Sequence, residues 1–504
     1  MTSLSGRVTA SPAELLHQEV LAPQFRYEAE HLLPSYVAVE KVLALEYARM
    51  GLIDAHTATR IGRILDRART QLPAADPVAN MSDIAFALER MVETGLDATS
   101  TTHWHVDRSR NDLQACAQLM FAREQTRAIA GLLLDLGTTT HALAASHTDT
   151  VMPGHTHYQA AQVISPGFYL AAVCEHVIHT AHRLLATYDR LDASPLGSGA
   201  MAGQELPWDR ERMARLLGFA TVQPHALTGV ASRRAVTEIT AELSLFGVTV
   251  SRFTTDLLTW GSSEYGFIDL PDDLSGISSA MPQKKNFPVL ERIRGKTAHL
   301  TAFHTDAVIG QRNTPFSNLV EVSKEAGAHL HACCTTAATV IRLLTAVLDG
   351  VRFRPDRMRK ACEREFLGGF TLANLLNLRE GVPWRKAQVM AGRYVVAAMD
   401  AGRAPRDTDP ALLTDICAAH GIAPADPAAL LADAFDLDHA LRNKKSAGSV
   451  HPDAVAALLK SHHHELAELR RAWDLREHRC TAALARTDRE LGLEARHPAD
   501  REAG

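Results

Sequence analysis

The sequence predicts an all-α protein, and three observations predict it. Three long stretches, roughly residues 113–151, 225–270 and 316–354, contain no proline and repeat apolar residues at steps of three and four. No run of alternating β-branched residues bounded by hairpin turns occurs, so strands are expected to be scarce. Neither a GxGxxG after a strand nor a Walker loop occurs, which leaves nucleotide-binding α/β folds unsupported.

Taken along the chain, the first long stretch follows "RSRND", where Asn111 or Asp112 can cap a helix N-terminus. Its apolar positions Leu119, Met120, Ile129, Leu132, Leu133 and Leu136 keep helical spacing. A second helix is expected over about 162–190. The stretch 225–270 supplies a third. The stretch 316–354 carries Leu319, Val320, Leu330, Val340, Ile341, Leu344 and Val347, again at helical steps. A helix of 35–40 residues is about 50–60 Å long. Helices of that length do not bury their stripes in a small monomeric domain; they predict an extended bundle shared between subunits. Past residue 370 the helices shorten and Pro and Asp become frequent. The division is therefore an N-terminal helical domain (1–112), a central long-helix domain (113–365) and a C-terminal helical domain with a charged tail (366–504). From Arg470 onward the chain reads as a solvated helix and a frayed end.

Composition narrows the function. Of 504 residues, 46% are hydrophobic and 22% charged, with net charge −5 at pH 7, which is ordinary for a soluble globular protein. That balance gives no electrostatic case for nucleic acid or an anionic membrane. Apolar runs are interrupted by Thr, His, Arg or Asp, so no membrane span is expected. The N-terminus lacks an apolar signal core, and a cytoplasmic location is the default expectation. Seven cysteines without CxxC spacing predict small buried residues rather than disulfides or zinc ligands. The "HHH" run at 462–464 reads as a solvated helix face.

Four polar, turn-rich segments interrupt the helices: "HVDRSRND" (105–112), "MPGHTHYQAAQ" (152–162), "SPLGSGAMAG" (194–203) and "ISSAMPQKKNFP" (277–288). Arg108, Arg110, Lys284 and Lys285 supply positive charge. Ser109, Asn111, Thr156, Ser278, Ser279 and Asn286 supply neutral hydrogen bonds. A dicarboxylate needs such a set, because an unpaired carboxylate in a closed site is costly. Each segment alone has a bland reading: a helix start, a loop histidine, a glycine turn, a surface charge pair. All four in this order and spacing shift the balance.

Together these segments, with "LERIRGK" after the last, resemble the signature regions of the aspartase–fumarase superfamily, and most closely argininosuccinate lyase, over about residues 25–468. The resemblance implies a homotetramer built on a central bundle of long helices, with active sites that collect loops from three subunits. It implies a β-elimination that releases fumarate from an N-substituted aspartate. It places Ser278 as catalytic base, Lys284 beside it, and His157 paired with Glu291 on the acid side. Ser109, Arg110, Asn111, Thr156 and Asn286 match succinyl-binding positions. Arg233, Phe316, Glu321 and Lys324 match the pocket for the leaving amine. The scheme requires no metal or organic cofactor. The loop around Ser278 is mobile in the family, and Gly276 is a plausible hinge for it. Alternatives are a secondary-metabolism lyase on another substituted succinate, a relative that breaks a different bond, and a non-catalytic crystallin-like protein.

The sequence also departs from the family pattern. Ile277 stands for a glycine, Phe287 intervenes before Pro288, and Val106 and Asp107 replace Thr and Gly. The usual "EDIH" is "SDIA" (82–85). In "FSNLVEVSK" (316–324) a tyrosine becomes Phe316, a glutamine becomes Glu321 and an acid becomes Ser323. Arg234 replaces an acid beside Arg233. These changes fall on the amine side, so the expected substrate is argininosuccinate or a close analogue with a different amine.

Overall fold

The computed structural model describes residues 7–97 and 102–493. Its frame is helical, with α1 (Leu33–Arg49) in the N-terminal part and long helices behind it. These are α2 (Arg110–Ala145), α3 (Pro166–Leu191), α4 (Arg234–Gly261), α5 (Pro288–Gln311), α6 (Leu330–Gly350) and α7 (Pro452–Glu490). The hairpin β1 (Met152–Thr156) and β2 (Gln159–Ile164) joins α2 to α3.

Local chemistry sets the starts. Ser109, not Asn111 or Asp112, caps α2: its hydroxyl accepts from the Asn111 N–H at 3.1 Å. Ser165 caps α3 through the Phe168 N–H, with Pro166 in the first turn where a missing N–H costs nothing. The apolar stripes then meet in one core, where Leu133 and Leu136 of α2 join Ile178 of α3, Leu243 and Phe246 of α4, Leu344 of α6 and Leu466 of α7. A second cluster packs α1 residues Tyr36, Val42 and Tyr47 against Ile61, Leu88 and Phe121. A third lies between the helices Gly369–Glu380 and Trp384–Asp400.

Several boundaries differ from the sequence reading, each for a visible reason. The helix expected from 162 starts at Pro166, because Gln159–Ile164 pair as a strand. The run 225–270 forms Ala226–Ala231, breaks at Ser232 and Arg233, and resumes as α4. Of 316–354 only Leu330–Gly350 is α-helix, preceded by one wide π turn at Glu321–Glu325. Helix α5 was hidden inside what reads as a polar motif. Helix α7 is longer and less solvated than expected: Trp473, Ala483 and Thr487 are buried beyond Arg470, and His462 is buried while His463 and His464 are exposed. The end of the charged tail, 494–504, lies outside the described residues. All seven cysteines are free thiols, six of them buried.

By length and composition alone, Arg110–Ala145 and Glu321–Gly350 are apolar enough to cross a membrane. Here both pack in the bundle. Within α2, buried Arg123 pairs with Asp192 at 2.8 Å and lies over the Phe219 ring at 4.0 Å.

Two features matter for the site. Helix α4 has 28 residues and α5 has 24, so at 1.5 Å per residue they run about 42 Å and 36 Å. Of the 24 residues in α5 only Leu290, Ile293, Thr297, Leu300 and Ala307 are buried, while Val308, Ile309 and, on α4, Leu245 and Val248 stay exposed.

Candidate active site

The predicted residues gather at two opposite ends of the bundle. At the end where α2 and α4 begin, the side chains are locked by one hydrogen-bond chain. Asn111 donates to the Ala200 carbonyl at 2.9 Å and accepts from Asn318 at 2.8 Å. Arg233 donates to Asn318 at 3.1 Å, to Gln118 at 2.9 Å and to the Val230 carbonyl at 2.6 Å. Gln118 in turn donates to the Ser323 carbonyl at 2.6 Å. Every acceptor around Arg233 is neutral, and burial pushes its pKa down to about 10. The chain staples the 312–329 segment, with Phe316, Glu321 and Lys324, onto the start of α2.

Lys324 does not stand free. Its ammonium pairs with buried Glu28, whose carboxyl is pushed up by burial and drawn back down by that cation. The pair lines a cavity of about 450 Å³ with Arg233 and Gln118. Phe316 is 64% exposed and Glu321 is also exposed, so neither touches this cavity wall. Arg110 pairs with Asp83 at 2.8 Å and lies over the Phe86 ring at 4.4 Å. Arg108 is not an available cation: its side chain is buried against Glu40.

Asp112 holds the glycine loop. Its carboxylate accepts from the N–H groups of Gly197 at 2.9 Å and Gly199 at 3.0 Å. Burial pushes its pKa up to about 6 despite those donors. Gly199 sits at φ 59°, and a Cβ there would lie 2.4 Å from the Gly203 carbonyl oxygen, so only glycine fits.

At the other end, β1 and β2 turn through His157 (φ 53°) and Tyr158 (φ 61°), the positive-φ pair that closes a tight hairpin. Thr156 and His157 stand exposed at the tip. The Ser278 loop is also a hairpin: Gly276 pairs with Asn286 and Ile277 with Lys285. Inside it, Ser278 Oγ accepts from the Met281 N–H at 3.0 Å and the Ala280 N–H at 3.4 Å. Lys285 is tied to Asp269 at 3.2 Å, Asp272 at 2.9 Å and the Leu270 carbonyl at 2.6 Å. Lys284 has no side-chain partner among the described residues, and Asn286 makes only a long contact to the Ile277 carbonyl at 3.5 Å. Gly276 is closely packed: a Cβ there would meet the Pro288 ring at 2.8 Å.

The expected pairing of His157 with Glu291 is not made within one chain. Both are exposed, and no contact joins them. More generally, Asn111, Arg233 and Lys324 lie at one end of α4, while Thr156, His157, Ser278, Lys284, Asn286 and Glu291 lie at the other. The hairpin's place is fixed by His155, whose ring meets Tyr265 at 5.9 Å, just past the end of α4. About 42 Å of helix separates the two sets, so one chain cannot bring them to one substrate.

Reading the sequence missed Glu28, Gln118, Asn318 and the loop-holding role of Asp112. Asp112 and Asn318 stood inside motifs already quoted. Nothing local marked Glu28 or Gln118, which gain their partners only through tertiary packing.

The chain resembles known lyases in sequence and in fold. The sequence profile of the family described as "Lyase" matches residues 18–301. Argininosuccinate lyase of Methanothermobacter thermautotrophicus is 32% identical over 370 residues, covering 73% of this chain and 79% of that protein. Argininosuccinate lyase of Moorella thermoacetica is 32% identical over 403 residues, covering 80% and 85%. Among solved structures, EDDS lyase in complex with formate superposes with TM-score 0.82 at 22% identity over 98% of both chains. A class II fumarase from Schistosoma mansoni gives TM-score 0.67 at 13% identity, over 82% of this chain and 94% of that one. The all-α expectation holds, and the chain belongs to the lyase family, in the aspartase–fumarase superfamily and close to argininosuccinate lyase: it is a carbon–nitrogen lyase.

Proposed function

We propose that the protein cleaves an N-substituted aspartate, argininosuccinate or a close analogue, into fumarate and an amine or guanidine. The observation that carries this reading is the Ser278 turn. A serine hydroxyl is a poor base, because its alkoxide is unstable in water. Here two backbone N–H groups already aim at Ser278 Oγ, and Lys284, in the same loop, has no side-chain partner among the described residues. Preorganised donors of this kind stabilise developing negative charge without reorganisation during the reaction.

In the proposed sequence the Ser278 alkoxide, its own proton already passed to solvent, takes the proton from the carbon next to the leaving C–N carbon and returns to the hydroxyl. Those electrons pass into the adjacent carboxylate, giving an aci-carboxylate dianion held by Lys284 and Asn286. The C=C bond then forms as C–N breaks, and the leaving nitrogen receives a proton from the His157 side, with Glu291 orienting the imidazole. Ser109, Arg110, Asn111 and Thr156 hold the succinyl carboxylates. Because the two sets of residues lie at opposite ends of a chain, the site is assembled from several copies. The exposed Val308, Ile309, Leu245 and Val248 support a shared bundle, and a homotetramer with sites formed by three subunits is the assembly proposed. A cytoplasmic setting and a role in arginine biosynthesis complete the reading.

One observation favours a different amine over arginine. Lys324 is neutralised by buried Glu28, and two of the positions that depart from the family pattern, Ser323 and Arg234, line the same cavity. The test is fumarate release, followed by ultraviolet absorbance, from argininosuccinate and a panel of N-substituted aspartates, with Ser278→Ala as control. Release from argininosuccinate alone supports the primary-metabolism form. Release from other members supports the altered pocket. No release from any of them overturns the proposal.

A further inference from the structure

Behind the β1–β2 hairpin lies a cavity that shares only Thr156 with the proposed elimination site. Its volume is about 290 Å³, close to the lower limit for small-molecule pockets. Six of its lining residues carry rings: His155, Tyr158, Phe168, Tyr169, Trp260 and Tyr265. They brace one another edge to face, with Tyr169 against Trp260 at 4.8 Å and His155 against Tyr265 at 5.9 Å. The one charged residue in the wall is Asp256, and no lysine or arginine lines the cavity. Tyr169 donates its hydroxyl hydrogen to one carboxylate oxygen of Asp256. Burial and that bond raise the Tyr169 pKa, so the hydroxyl keeps its proton and stays a donor. Asp256 forms no ion pair with any cation among the described residues, although Arg252 lies one turn earlier on α4.

An aromatic wall with one carboxylate that forms no ion pair among the described residues, even with the Arg252 charge near enough to act on Tyr169, has a definite chemical preference. Ring faces attract cations through their quadrupoles, and the attraction grows as the cation is desolvated. A carboxylate fixed by a tyrosine hydroxyl adds Coulombic attraction without having to be ordered on binding. Neutral or anionic ligands gain neither. The geometry points to a binding site for a small organic cation, of the alkylammonium or quaternary ammonium class, between the hairpin and the end of α4. The wall includes Thr156, so an occupant would touch the strand that carries the catalytic tip.

The experiment is isothermal titration of the full-length protein with tetramethylammonium chloride. Sodium chloride at matched ionic strength and tert-butyl alcohol, a water-soluble neutral isostere, serve as controls. Saturable binding of tetramethylammonium is expected, weakened about tenfold or more by Asp256→Asn and by Trp260→Leu. Circular dichroism establishes that each variant is folded, and Tyr265→Leu replaces either one that is not. The proposal is overturned by the absence of saturable heat beyond sodium chloride. It is equally overturned by equal binding of the neutral isostere, or by folded variants that bind as the wild type does.

Discussion

Subunit mixing turns the separation of the two half-sites into a number. Ser278→Ala removes the hydroxyl at one end of the bundle, and Asn111→Ala removes an anchor at the other. About 42 Å of α4 lies between those ends, whereas a substituted succinate spans only a few residues' length. On the proposed mechanism a working site takes its Ser278 from one chain and its Asn111 from another. Each variant alone assembles sites that all lack one group. In a random equal mixture, a site draws an intact Ser278 with probability one half and an intact Asn111 with probability one half. About one quarter of the sites are then complete, provided the copies exchange freely within a closed assembly. Co-expression of the two variants with different tags, purification through both tags and a fumarate-release assay read this directly. Activity near a quarter of wild type supports the argument. Doubly tagged assemblies no more active than the parents would refute it, because a site contained in one chain gives no complementation at any ratio.

Other expectations follow from single contacts. Asn318→Ala cuts the link between Asn111 and Arg233, leaving a buried Arg233 N–H without its acceptor and the Asn111 side-chain oxygen without its donor, worth about 1–3 kcal/mol; kcat/KM should fall roughly 5- to 100-fold and calorimetry should show a lower melting temperature. Gly276→Ala drives a methyl into the Pro288 ring, and overpacking of this kind costs about 1–3 kcal/mol; calorimetry should show a lower Tm and the assay a slower turnover. Glu89 supplies a pH test. Burial pushes its carboxyl up to about 7 from an ordinary 4.5, so the folded state prefers the protonated acid. Its contribution is favourable at low pH and lost as pH rises from about 4.5 to 7. Glu89→Gln should match wild type at pH 4.5 and unfold at higher denaturant at pH 8; equal midpoints at pH 8 would refute the assignment.

Much of the frame was legible because helix periodicity is a local signal. Leu133, Ile341 and Leu344 repeat at helical steps in the sequence and are buried as that spacing requires. What escaped was set by partners distant in the chain. Helix α5 carries so few core residues that its stripe is faint; its exposed face gives no apolar period to read. The β1–β2 hairpin lacks an Asn-Gly signal, and its turn uses His157 and Tyr158 at positive φ, which local propensity does not favour. Glu28 and Lys324 are 296 residues apart, so no window of sequence could pair them.

The adjacent lysines 284 and 285 show why motif letters alone cannot assign charge. In sequence they are equivalent cations. In the fold, Lys285 meets two carboxylates and a carbonyl, fastening the hairpin base to Asp269 and Asp272. Such a lysine cannot turn to a substrate without leaving those groups unpaired. Lys284, one residue earlier, lies in the turn before the strand and has no side-chain partner among the described residues. The same hairpin delivers the Ala280 and Met281 N–H groups to Ser278. On the proposed mechanism one lysine holds the loop in shape while the other, with the serine, meets the substrate, so the pair is a scaffold and a reagent rather than a doubled charge.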